Sequence, residues 1–382
     1  MSDNPYIKFL NKYLEALVSH GGSDLHLKAT SLIRGRINGK IVNFGDRILT
    51  KEEAEELAKA LVGKRYDELD DKKSLDFTYI LNDDYRFRVN LFLQISGISA
   101  VFRTIPRHIP KMEELLLPPV LKKIADETLM GLILVTGPTG SGKTTTIASM
   151  INHINHTRQN HIVTIEDPVE FVFDDAKCVI NQRAIGQDCN TFADSLRAAL
   201  REDPDIIFVG EMRDLETIET ALHAAETGHL VLSTLHTLDA KESINRVISM
   251  FEGEEQNRIR IAFASVLQAV ISQRLVATTD DKRRAAVEVL RRSVRIRDMI
   301  LEDRVGEVTD AIKEGRNIYG TQTFDQHLLD LFKDGIITRE EALDKSSNRA
   351  DLEINIKNIE LERKSKAGEA DEADEIKLKD IR

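Results

Sequence analysis

Tryptophan is absent from this chain of 382 residues, and aromatic side chains of all kinds make up only 5%. A core built from it must therefore be aliphatic, of the kind that parallel sheets bury. There are two cysteines, Cys178 and Cys189, and no C-x-x-C pair. That excludes a disulfide framework and a four-cysteine zinc site, and it leads to the expectation of a reduced, cytoplasmic protein. No apolar run approaches the roughly 20 residues of a membrane span, and no basic-then-apolar signal pattern follows Ser2-Asp3-Asn4. Any membrane contact is thus expected to be peripheral or through a partner. The formal net charge of −11 argues against nucleic acid as the main partner.

What is present is concentrated in one octet. Gly137-Pro138-Thr139-Gly140-Ser141-Gly142-Lys143-Thr144 fits G-x-x-x-x-G-K-[ST], and Thr145 continues it. The run 131–136 before it reads as a fully buried strand, and 144–155 after it reads as a helix. Small glycines let backbone N–H groups turn inward on a phosphate at the positive end of the following helix. Lys143 is placed to reach the β- and γ-phosphates, and the Thr144 hydroxyl to ligate Mg²⁺. From typical residue frequencies, a chance match in a chain this long has odds of roughly one in a hundred. The sequence therefore predicts a nucleotide site.

Length predicts two domains and a tail. Ile7, Leu10, Leu14, Leu17 and Val18 recur at helical spacing, strands are expected at 24–29 and 31–37, and Asn38-Gly39 supplies a hairpin turn. Thr50-Lys51-Glu52-Glu53 is a capping box opening a helix that Gly63 can close. Strands at 75–81, 85–93 and 98–103, with a turn at Asn82-Asp83-Asp84, complete an α+β domain over 1–104. Pro106, Pro110, Pro118 and Pro119 mark a semi-rigid hinge, 105–117. Over 118–345 buried strands (131–136, 161–166, 178–183, 205–210, 229–235) alternate with helices (143–156, 191–202, 214–227), which predicts a mostly parallel sheet. After Arg274 the chain reads as helical apart from one short strand, 285–290. From about Ser346 it turns polar and ends in an acidic run from Glu369 to Glu375, so 346–382 is expected to be a solvated tail, disordered or loosely helical, with a docking segment as the alternative.

Three further clusters sit at predicted strand ends. Thr164-Ile165-Glu166-Asp167-Pro168-Val169-Glu170 puts paired acids where a ligand crevice opens, and Glu166 is the candidate there. Asp205-Ile206-Ile207-Phe208-Val209-Gly210-Glu211-Met212-Arg213-Asp214 reads as the acid-tipped strand of a P-loop ATPase. Glycine stands where an Asp usually precedes the Glu, so Glu211 is expected to polarise the attacking water alone, while Asp214 suits a helix N-cap. Thr227-Gly228-His229 through His236-Thr237 brackets another apolar strand with histidines, each of which spacing alone leaves as readily structural as functional. His153 and His156 read as surface histidines. Arg88 and Arg103 fall on neighbouring strands of the first domain, where they are either surface arginines or charge-neutralising groups aimed at a phosphate across a subunit boundary.

In this order, the clusters resemble the secretion ATPase superfamily, and within it the twitching-motility (PilT/PilU-type) ATPases that retract type IV pili. The resemblance spans about residues 5–345. Gly22-Ser23-Asp24-Leu25-His26-Leu27 looks like the N-terminal signature, and 137–144 the Walker A loop. Residues 164–170 look like the aspartate box, 207–214 an atypical Walker B strand, 228–237 the histidine box, and Thr323-Phe324-Asp325-Gln326 is also familiar. The family's A-I-R-N-L-I-R-E helix is matched only by Arg295-Ile296-Arg297-Asp298-Met299-Ile300-Leu301-Glu302. The resemblance implies an α/β chain with a PAS-like N-terminal α+β domain and a RecA-like P-loop ATPase domain with a helical C-terminal part. It further implies ATP and Mg²⁺ as cofactors, a homo-hexameric ring, Arg88 and Arg103 acting in trans, and His229 and His236 as nucleotide-state sensors. An inner-membrane pilus platform protein is the implied partner, with the chain at the cytoplasmic face of the inner membrane. Pilus assembly and type II secretion relatives carry a tetracysteine zinc insertion that two cysteines cannot supply. An accessory ring subunit working with a paralogous motor is the reading left beside that of the principal motor.

Overall fold

The computed structural model describes residues 4–37, 39–82, 84–105 and 108–363. Asn38, Asp83, Pro106 and the acidic run from Glu369 lie outside the described residues. The chain divides into two compact units, one holding residues up to 109 with 163–174 and 180–195, the other 110–162, 175–179 and 196 onward. The boundary after the first hundred residues falls within the proline-punctuated connector.

The first unit is built on six antiparallel strands: β1 (Gly22–Lys28), β2 (Ser31–Ile37), β3 (Lys40–Leu49), β4 (Ser74–Ile80), β5 (Arg86–Gln94) and β6 (Gly97–Ile105). Their order is β3-β2-β1-β6-β5-β4. Alternation sends Leu25, Leu27, Phe87, Val89, Leu91, Ala100 and Phe102 to one face, into a core shared with Leu10, Leu14, Leu17, Leu57 and Ala58 of two helices. Helix Pro5–Ser19 starts where Asn4 accepts from Tyr6 N at 2.8 Å, and helix Lys51–Val62 carries the complete Thr50/Glu53 capping box. The sequence does not announce β3. It is an edge strand whose residues are almost all exposed, Ile41, Val42 and Ile48 among them, so its apolar residues follow no alternation between a buried and a solvated face.

The second sheet has the order β13-β12-β7-β11-β10-β8-β9. Its strands are β7 (Gly131–Thr136), β8 (His161–Glu166), β9 (Val179–Ala184), β10 (Ile206–Val209), β11 (Leu230–Leu235), β12 (Leu267–Ala277) and β13 (Arg283–Arg291). Every residue of β7, β10 and β11 is buried, and β12-β7, β7-β11 and β11-β10 pair in parallel. The short strand expected at 285–290 lies within β13, and the chain after it is helical as expected; the strand before it, β12, is not announced by the sequence. β12 runs through Arg274 to Ala277, and β13 is nine residues long and antiparallel to it. Polar residues hid β12, because Ser272 and Gln273 are fully buried but bonded sideways. Thr136 Oγ1 donates to Ser272 Oγ at 2.9 Å, and Gln273 Nε2 donates to Thr146 Oγ1 at 2.8 Å.

The expected solvated tail is corrected where the structure describes it. Residues 349–363 are helical, and Leu352, Ile356 and Ile359 pack with Phe324, Leu328, Phe332 and Ile337 in one core. Thr323-Phe324-Asp325-Gln326 explains the attachment. Thr323 and Gln326 form a capping box, and Phe324 is buried under the Arg274 guanidinium at 3.9 Å. The Asp325 carboxylate accepts from Ser347 N at 2.7 Å and Asn348 N at 2.8 Å, just ahead of the terminal helix. Ile356→Ala should therefore destabilise the protein by about 2–5 kcal/mol in urea unfolding. A change below about 0.5 kcal/mol, as for a surface position, would show that the helix is not part of the core.

Candidate functional site

The phosphate loop leaves β7 at Gly137, whose φ of 144° and surroundings admit no side chain. A Cβ there would lie 2.4 Å from Gln273 O and 2.6 Å from Ser141 Oγ. Gly142, at φ 92°, is the N-cap of helix Lys143–Thr157, and no side chain caps that end. The first N–H groups of the helix are therefore left for a ligand, at the positive end of the helix dipole. Lys143 is buried and its Nζ donates to Gly137 O (2.8 Å) and Pro138 O (3.1 Å), which draws the ammonium across the mouth of its own loop. The buried Ser141 Oγ has no hydrogen-bond partner among the described residues. A buried hydroxyl in that state is unfavourable by itself and suits a phosphate oxygen.

The neighbouring parallel strands deliver the next groups. β11 pairs with β7 up to Leu235 opposite Thr136, so His236 follows on at the level of the loop. His236 Nδ1 lies 3.5 Å from Thr139 Oγ1, and its Nε2 lies 3.2 Å from Glu211 Oε1. Glu211, two residues past β10 and 17% exposed, also receives Arg213 Nε at 2.6 Å. Thr139, His236, Glu211 and Arg213 thus form one connected group beyond the carboxyl ends of three parallel strands, where ligands of α/β sheets bind. Arg213 was not singled out from the sequence. Its position two residues after a strand-end acid was the available signal. Asp214 accepts from Thr217 N at 2.8 Å and caps helix Leu215–Glu226, as its spacing predicts.

His229 is not brought to this group. Its carbonyl accepts from Gly131 N, at the start of β7, and its Nδ1 lies 2.9 Å from Ala224 O and 3.2 Å from Thr227 Oγ1. It sits at the opposite end of β11 from His236, roughly 20 Å away at the usual rise per strand residue. Within the chain His229 ties a helix end to a strand start, apart from the group around His236. His153 and His156 bond to Asp126 and to Asn152 O, as surface histidines do.

Glu166 ends β8 and is buried. Burial pushes its carboxyl up to about 7, against the hydrogen bonds from Thr164 Oγ1 (2.7 Å), Glu170 N (3.5 Å) and Gln182 Nε2 (3.4 Å). Gln182, on β9, has no sequence signal at all. Arg88 and Arg103 stand directly opposite one another on β5 and β6. Arg88 pairs with Glu170 at 3.7 Å, and Arg103 Nε donates to Asp24 Oδ1 at 2.8 Å.

The Glu166 shift has a measurable sign. A carboxyl whose folded pKa exceeds its unfolded 4.5 binds more protons when folded, so its contribution to stability falls as pH rises from 4.5 through 7. Wild type should therefore lose stability relative to Glu166→Gln over that window, by on the order of 2–3 kcal/mol, with no further change above about pH 8. A flat difference curve from parallel denaturant titrations would contradict the buried, proton-holding carboxyl.

With this geometry in place, comparison with known proteins is informative. The model of the type II/IV secretion system protein family matches residues 1–360. The chain is 45% identical over 345 residues to the type IV pilus retractation ATPase PilT of Pseudomonas aeruginosa, covering 88% of this chain and 98% of that one. It is 36% identical over 348 residues to the type IV pilus ATPase PilU of the same organism, covering 91% of each. Among solved structures, the crystal structure of the pilus retraction motor PilT with bound ADP superposes with a TM-score of 0.83 at 43% identity, covering 90% of this chain and 98% of that one. The chain belongs to the type II/IV secretion system protein family, as one of its nucleotide-binding P-loop ATPases.

Proposed function

We propose that the chain is the ATP-hydrolysing motor of type IV pilus retraction, working as a homo-hexameric ring on a membrane platform partner at the cytoplasmic face of the inner membrane. The observation that carries the reading is the Thr139–His236–Glu211–Arg213 group beside an uncapped phosphate-loop helix. Similarity to a retraction ATPase at 45% identity, against 36% for the PilU relative over a comparable length, favours the principal motor over an accessory subunit. No helix among the described residues is long and apolar enough to cross a membrane, which is compatible with force reaching the envelope through a partner.

The residues divide the chemistry between them. Backbone N–H groups of Thr139, Gly140, Gly142, Lys143, Thr144 and Thr145 cradle the β-phosphate, those of Gly137 and Ser141 donating instead to Leu235 O and Pro138 O, and Lys143 exchanges its two loop carbonyls for β- and γ-phosphate oxygens. Mg²⁺ at a phosphate loop needs one protein hydroxyl beside phosphates and waters, and Thr144 would supply it. When bound, the ion neutralises charge on the phosphates. Glu211 orients and polarises the attacking water, while His236, bonded between Glu211 and Thr139, registers whether a γ-phosphate is present. Glu166 serves as the second acid, and Arg88 and Arg103 of a neighbouring subunit offset transition-state charge.

Purified rings should hydrolyse ATP only with Mg²⁺, and Glu211→Gln should lower kcat by about a hundredfold or more while leaving nucleotide binding intact. Absence of Mg²⁺-dependent hydrolysis, or an unchanged rate in Glu211→Gln, would contradict the assignment.

A further inference from the structure

The site above gives the signature 22–27 no work. Its second and fourth residues, Ser23 and Leu25, flank a carboxylate in an unusual place. Asp24 is only 3% exposed, on the sheet face opposite the helix-covered core. Cross-strand register sets Arg36 opposite Asp24, Asp24 opposite Arg103, and Arg103 opposite Arg88. Directly opposed residues share a face, so one buried carboxylate lies in a row with three guanidinium groups. It accepts from Arg103 Nε at 2.8 Å and from Ser23 Oγ at 2.8 Å, and Arg36 Nε is 3.5 Å away. Burial alone would raise this carboxyl, but the Arg103 and Ser23 hydrogen bonds together with the Arg103 and His26 charges hold it below the usual range.

We propose that Asp24 is the positioning residue for Arg103, fixing that arginine in the orientation in which it meets the nucleotide of a neighbouring subunit. The inference rests on the reading of Arg103 as a trans-acting arginine. The bond geometry supports it. Asp24 engages Nε and leaves the terminal nitrogens in a side chain that stays 69% exposed, and those nitrogens form the fork that matches two phosphate oxygens. A strand arginine without this anchor spreads over many solvent-facing rotamers. With it, the planar group is ordered before the phosphate arrives, which is where positioning acts on rate. Strand alternation explains the motif: Leu25 and Leu27 enter the core, and Asp24 is thereby turned toward Arg103.

The test is ATP hydrolysis by rings assembled from two variant chains. Asp24→Asn alone should lower kcat by about tenfold to a hundredfold, with a much smaller change in KM for ATP. Mixed with Glu211→Gln, it should regain activity. Each Glu211→Gln subunit presents an anchored Arg103 to the intact Glu211 of an Asp24→Asn neighbour. Arg103→Ala mixed with Glu211→Gln is the reference. If that pair does not complement, the trans reading of Arg103 itself fails. If it complements while Asp24→Asn either keeps the wild-type kcat or is impaired without complementation, the role of Asp24 is overturned and the trans reading stands. Asp24→Glu, which keeps the charge one methylene further out, replaces Asp24→Asn if rings of the latter do not assemble; it should also lose kcat and be complemented. In an Arg103→Lys background, which has no Nε donor of that geometry, Asp24→Asn should add no further loss. Losses that multiply would mean that Asp24 acts by another route.

Discussion

Six consecutive residue pairs, Leu230 with Gly131 through Leu235 with Thr136, hold β11 parallel to β7, and Val209 pairs with Ser233 on the next strand. Shifting this register by one residue would exchange the faces of fully buried strands and carry His236 and Glu211 away from the phosphate loop. The strands admit no such slip, because every residue in them is buried and the polar ones are bonded in place. Ser233 Oγ donates to Val209 O at 2.7 Å and Thr234 Oγ1 to Gly210 O at 2.6 Å, one on each side of the point where the chain turns toward Glu211. The chemistry at the strand ends is thus inherited from packing far below it.

Much of this was legible in the sequence because the local signals agree with the global fold. The octet at 137–144, the buried runs at 131–136 and 205–210, and the capping box at Thr50 each name an element whose physics is local. Legibility failed where residues are polar for reasons that lie across the sheet. β12 carries Ser272 and Gln273, whose partners Thr136 and Thr146 are more than a hundred residues away in sequence. β3 is an edge strand whose apolar residues Ile41, Val42 and Ile48 are exposed and mark no buried face. The helix 349–363 reads as a charged tail because only one narrow stripe, Leu352, Ile356 and Ile359, is buried.

The site shows the same division. Glu211 was readable because it follows an apolar strand, whereas spacing alone left His236 undecided. Gln182 was not readable, since a glutamine on a peripheral strand carries no pattern, and Arg213 offered only its place two residues after the strand-end acid. His229 shows the limit of reasoning from a motif: two histidines in one short segment are separated by the full length of the strand between them. Asp24 shows the reverse. A residue inside a recognisable signature acquires a physical role only when the register sets Arg36, Arg103 and Arg88 beside it.

The most direct measurement of the central claim is the structure of the assembled ring with a non-hydrolysable ATP analogue and Mg²⁺. The account predicts that the γ-phosphate lies beyond the ends of β7, β10 and β11, with His236 in contact and Glu211 one water away, roughly 4–6 Å from phosphorus. It also predicts that Arg103 from the adjacent subunit is bound to the same phosphate while Asp24 still holds its Nε. A γ-phosphate remote from Glu211 and His236, or a site closed by one chain alone, would contradict it.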